Sequence, residues 1–137
     1  MAAAPPTPPW KQSIPLHLAQ ARHNFRIYHK LRDEGEFLDW AVTALFYTVL
    51  HLIQACLLDM AADAFDYPKS HEQRDAFIRR KLSEIWLPYN FLQNQSTRPR
   101  YHPDQPKPTS LKLQQYETDQ FAAIKDTLER RGIKLNP

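Results

Sequence analysis

Glycine and cysteine are nearly absent from this 137-residue chain, which holds two glycines, Gly35 and Gly132, and one cysteine, Cys56. So little glycine builds no Gly-rich phosphate cradle, which excludes the common mononucleotide and dinucleotide motifs. A single cysteine excludes an internal disulfide and fits a reducing, cytoplasmic location. Its place inside an apolar run reads as inert packing. No stretch alternates apolar and polar residues with period two, so strands are not expected. No two of the six histidines stand three or four residues apart, the spacing that puts two ligands on one helix face. No metal site and no cofactor are therefore expected. No motif sets a Ser or Cys on an exposed elbow, which removes nucleophilic catalysis. The opening MAAAPPTPPW lacks a basic n-region and an apolar h-region and is not read as a secretory signal.

What the chain does have is one dominant apolar run, AVTALFYTVLHLIQACLL at residues 41–58. It is too long for a strand and reads as a helix buried on most sides. His51 and Gln54 near its middle, and the want of a second such run, argue against a membrane span. Thr43, Tyr47, His51 and Gln54 recur at helical spacing and form one polar stripe. Such a stripe either meets another helix, where its groups are satisfied, or lines a functional groove. The 18 Lys and Arg against 15 Asp and Glu leave a net charge of +3, which permits a phosphate-bearing partner without requiring one.

Nine of the twelve prolines cluster at residues 5–15 and 99–108 and mark boundaries. Residues 1–13 read as a flexible Pro/Ala-rich tail and 14–137 as one helical domain. Ser13 and Pro15 suit the start of a helix over about 15–33, with Leu18, Ala21, Phe25 and Tyr28 on one side and Arg22, Arg26 and Lys30 on the other. Gly35 ends it. The apolar helix follows over 36–62. Ser70 to Gln73 is a capping-box pattern opening a third helix with Phe77, Ile78, Leu82, Ile85 and Trp86 inward, interrupted by Pro88. Residues 89–95 read as a further turn or two, and 97–109 as an extended Pro-rich surface loop. A last helix over 110–131 stops at Gly132. The expected class is all-α, an up-and-down four-helix bundle.

The densest constellation is Arg98-Pro99-Arg100-Tyr101-His102. Arginine grips phosphate bidentately, histidine moves a proton to or from a ribose oxygen, and tyrosine stacks on a base. Together they suffice for metal-independent RNA cleavage. The plainer reading is a solvated basic loop. His71 and Arg74, at the start of the third helix, form a second candidate for holding phosphate, unless His71 only caps.

The stretches DWAVTALFYTVLHLIQACLL, SHEQR and YNFLQNQSTRPRYHP, in that order, resemble bacterial HEPN-domain proteins (higher eukaryotes and prokaryotes nucleotide-binding). The resemblance covers most of residues 15–131, carried by Trp40 to His51, Ser70 to Arg74 and Ser96 to Tyr101. It implies a HEPN-like four-helix bundle forming a homodimer, with RNA or a nucleotide as ligand, no membrane, and an antitoxin or phage-defence protein as partner. Catalytic members are metal-independent endoribonucleases whose Arg and His, with four to six residues between them, pair across the dimer cleft. Here Arg98 and His102 have three residues between them. On this resemblance Arg98 would hold the scissile phosphate and His102 act as acid/base. Arg100, Tyr101, His71, Arg74, His51 and Tyr47 would bind substrate. The alternatives are a non-catalytic dimeric module binding a nucleotide, RNA or a protein, and a plain structural dimer.

Overall fold

The computed structural model describes residues 5–136, and these are all-helical, with no strand among them. Helix α1 spans Ile14–Glu34 and α2 spans Leu38–Met60, joined by a turn that needs left-handed backbone twice. Gly35 (φ +72°) closes α1, its N–H reaching the carbonyls of Leu31 and Arg32. Phe37 (φ +53°) then opens α2, an uncommon conformation for a bulky side chain. The three residues 35–37 thus fold the two helices back on each other as a hairpin.

Helix α2 is the centre of the molecule. Fourteen of its residues are buried, among them Leu45, Leu52, Ile53 and Leu57, and α1, α4 (Trp86–Tyr101) and α6 (Ala122–Arg130) pack around it. Each such Leu or Ile stabilises the fold by about 1.5–3 kcal/mol. Among the described residues it alone is long and apolar enough to cross a membrane, but the protein's own helices cover it. The core-helix reading of the sequence holds.

Ser13 makes no side-chain cap to α1, whereas Ser70 Oγ accepts the Gln73 N–H at 3.2 Å and opens α3 (His71–Lys81). Gln73 Oε1 reaches back to the Lys69 N–H at 2.7 Å, completing a capping box displaced by one residue. Two expectations in this region need correction. The chain breaks at Leu82 and a short 3₁₀ turn, Ser83–Ile85, and not at Pro88. Helix α4 then runs unbroken over Trp86–Tyr101. Pro88 stands in its first turn, where a backbone N–H would have no helical partner, so the ring costs little. The expected loop over 97–109 is likewise shorter. Its first five residues are helical with Pro99 inside, and only the stretch after Tyr101 is irregular. Pro99 falls in the last turn, where its missing N–H forfeits one bond, to the Gln95 carbonyl, and Arg100 Nε caps the neighbouring Ser96 carbonyl at 2.9 Å.

The last helical run comprises α5 (Ser110–Tyr116), a π turn (Glu117–Phe121) and α6 (Ala122–Arg130). At the π turn Thr118 Oγ1 takes the Gln114 and Gln115 carbonyls at 3.1 and 3.3 Å, and Tyr28 donates to the Leu113 carbonyl at 3.1 Å. Arg32 ties Glu117 back to α1 at 2.5 Å. Gly132 (φ +85°) ends α6: its N–H bonds to Glu129 O and that of Ile133 to Leu128 O, both at 3.0 Å, the paired bonds of a Schellman stop. In the N-terminal segment a 3₁₀ turn, Pro9–Lys11, sets Trp10 Nε1 on the Ala61 carbonyl at 3.3 Å.

Candidate functional site

The polar stripe of α2 is the one side of that helix the core does not close. Tyr47, His51 and Gln54 are half-buried between a buried helix body and solvent, while Thr43 turns its hydroxyl back to the Asp39 carbonyl at 3.0 Å. Tyr47 and His51 each meet a polar group from another helix, and Gln54 borders a cavity shared with a third.

At the centre, His51 faces His17 of α1, Nδ1 to Nδ1 at 3.0 Å with ring centroids 5.2 Å apart. Such a contact requires one imidazole to donate and the other to accept. Burial lowers the pKa of both rings. For His51, His17 and the Arg74 guanidinium lower it further. Both are thereby held toward the neutral form near pH 7, the form that accepts a proton.

Toward the end of α2, Gln54 borders a small polar cavity of about 230 Å³ shared with Pro68, Lys69, Ser70, His71 and Arg74. The capping box at Ser70 fixes the first turn of α3, so His71 and Arg74, three residues apart, lie on one face and hydrogen-bond through His71 Nδ1 and Arg74 Nη2. Two polar atoms here have no partner although both are buried: Gln54 Oε1, an acceptor, and Arg74 Nε, a donor. A buried donor or acceptor without a partner is costly, and such groups ordinarily have one. Lys69 is engaged by the Ala64 and Tyr67 carbonyls at 2.8 and 3.3 Å.

Toward the start of α2, Arg100 Nη1 approaches the Tyr47 hydroxyl at 3.5 Å, and its guanidinium lies 5.4 Å from the exposed Tyr101 ring. The structure therefore brings Tyr47, Arg100 and Tyr101 together at one end of the stripe, and His51, Gln54, His71 and Arg74 toward the other. It separates Arg98 from Arg100. In an extended loop these two would share a side. In a helix they stand about 200° apart, so Arg98 points away to a cavity between α4 and α5. His102 caps α4 through its backbone N–H to Arg98 O at 2.8 Å, and its side chain is exposed. Arg26, in the middle of the basic strip of α1, lies about 180° around that helix from His17. Arg22 of the same strip is tied to the Leu135 carbonyl.

His17 is the participant that sequence reasoning missed. Spacing within one helix cannot find it, but a hairpin can: Glu34, beside the Gly35 turn, stands midway between residues 17 and 51. No group of three or more His, Cys, Asp or Glu side chains suited to a metal ion occurs among the described residues. Chemically, the arrangement offers a guanidinium for an anion, an amide acceptor beside it, and a pair of imidazoles for proton transfer. No protein-family profile, curated protein or solved structure matches the chain.

Proposed function

We propose that this protein is a HEPN-like helical module that binds RNA or a nucleotide through the polar face of α2. The observation that carries this reading is a pair of unpartnered buried atoms, Nε of Arg74 and Oε1 of Gln54, on two residues that line one cavity. A phosphodiester oxygen satisfies the first and a ribose hydroxyl or base N–H the second. The cation–aromatic end formed by Arg100, Tyr47 and Tyr101 lies along the same helix and suits a neighbouring phosphate and base. Packing of α2 against α1, α4 and α6 agrees with an up-and-down four-helix bundle in which α1, α2, α4 and the α5–α6 run are the long members. In this reading the module acts as a homodimer in the cytoplasm, alone or with an antitoxin or defence-system partner.

A nuclease reading rests on one further observation, the His17–His51 pair. A neutral imidazole beside an arginine can take the proton of a bound ribose hydroxyl without metal, and the imidazolium so formed can return that proton to the leaving oxygen. It transfers the chemistry from Arg98 and His102 to His51, His17 and Arg74.

The test is fluorescence anisotropy with a labelled single-stranded RNA in EDTA, from 50 to 200 mM salt, for wild type, Arg74→Gln and Arg100→Gln. Each lost phosphate contact should flatten the slope of log K against log salt by about 0.7. Wild-type binding absent at the lowest salt, or Arg74→Gln binding as well as wild type, sinks the proposal. Gel analysis of the same samples reads cleavage. Product formation abolished by His51→Ala supports the nuclease reading, and an intact substrate supports the binding module. A monomeric mass by light scattering removes the dimer.

A further inference from the structure

A second concavity lies on the other side of α4 from the α2 stripe, a cavity of about 310 Å³ between the end of α4 and the start of α5. Three cations converge on it: Arg98, Lys107 and Lys112. None of the three makes a salt bridge or a side-chain hydrogen bond among the described residues, and no carboxylate lines the cavity. The chain's other cations are mostly engaged. Arg32 holds Glu117, Lys81 holds Asp66, Arg131 holds Glu84, and Arg79 stacks on Trp86. Three like charges gathered on one small cavity repel each other, and the fold supplies no counter-charge for them.

The walls are stiff and partly apolar. Pro99, Pro106 and Pro108 line the cavity with fixed backbone angles, so the lysines are presented on a segment with little conformational freedom to lose. Tyr116 closes the floor, its ring against Phe91 at 5.2 Å and its hydroxyl donating to Gln95 Oε1 at 3.4 Å. The volume is at the small end of the range for ligand pockets, about 300–1,000 Å³. A single carboxylate would leave two of the three charges unmet, whereas a diphosphate group meets all three. Arg98 suits two of its oxygens as a fork and the lysines act as point charges.

We propose that this cavity is an anion site, separate from the α2 face, for a small molecule carrying a pyrophosphate group. Arg98 therefore serves ligand binding here and acts independently of His102. The proposal does not depend on RNA binding at the α2 face.

The probe is inorganic pyrophosphate, titrated into the full chain by calorimetry and by ¹H–¹⁵N NMR at low salt. Saturable binding is expected, with shifts concentrated at Thr109, Lys112 and Gln95. Arg98→Gln, Lys107→Gln and Lys112→Gln, all on exposed side chains, should each weaken it about tenfold or more. Lys134→Gln, at an exposed cation that does not line the cavity, should leave it unchanged. The proposal is overturned by a linear, unsaturated response, by variants that bind as wild type does, or by shifts that map to α3. Single-stranded RNA run as a competitor distinguishes the source of the phosphate: failure to displace pyrophosphate supports a small-molecule site. Displacement of pyrophosphate from the wild type by the RNA makes the cavity part of an RNA track and overturns it.

Discussion

The contact between His17 and His51 makes a prediction whose sign changes with pH. Above the ordinary histidine pKa of about 6.5 at least one ring is neutral, and the 3.0 Å contact is a hydrogen bond. Such a bond contributes about 0.5–1.5 kcal/mol net. The burial that lowers both pKa values means that folding releases protons in the range where the unfolded histidines are charged. The contribution is thus fully present above about pH 6.5. It is lost as pH falls through the two lowered folded-state values, where like charges are forced together. The measurement is a double-mutant cycle on thermal or urea unfolding with His17→Leu, His51→Leu and the pair, at pH 7.5 and pH 5. A favourable coupling of about 1 kcal/mol is expected at pH 7.5. It should vanish or become unfavourable at pH 5. Arg74→Gln removes one of the charges that holds His51 down, so the pH at which coupling disappears should move up in that background. A coupling near zero at pH 7.5, or one that does not change between the two pH values, would refute the reasoning.

Three further outcomes test the fold. Gly132→Ala should cost about 1–2 kcal/mol, since φ is +85° and a Cβ there meets nothing within 4 Å, leaving only the left-handed backbone penalty. Gly35→Ala should cost a similar amount for the same reason, and a melting temperature unchanged in both would contradict it. Ser70→Ala removes the cap on the Gln73 N–H and should lower stability by about 1 kcal/mol in denaturant titration, with a further loosening of the His71–Arg74 pair visible in NMR. Cys56, whose thiol burial pushes up to about 11, should stay unreactive toward a thiol reagent at pH 8 until the protein unfolds. Rapid labelling in native buffer would show that the centre of α2 opens locally.

Helix α2, its polar stripe and the stops at Gly35 and Gly132 were legible in the sequence because each rests on a local cause. These are an uninterrupted apolar run, a helical period, and a residue free to take positive φ. The course of α4 was not legible, because the effect of a proline depends on its place in the helix, which the sequence around it does not mark. At Pro88 the missing N–H belongs to a first turn, and at Pro99 to a last one whose carbonyls the side chain of Arg100 helps to satisfy. That difference decides the site. A loop would have let Arg98, Arg100, Tyr101 and His102 gather around one phosphate. A helix turns Arg98 and Arg100 to opposite sides and gives each a different neighbour, a lysine-lined cavity and Tyr47. The stripe shows the complementary limit. Its period told that Tyr47, His51 and Gln54 share a face, but only the hairpin and the capped start of α3 determine that the face meets His17 and Arg74. Spacing along one helix fixes which side chains stand together, and the chemistry of that set depends on what another helix brings opposite it.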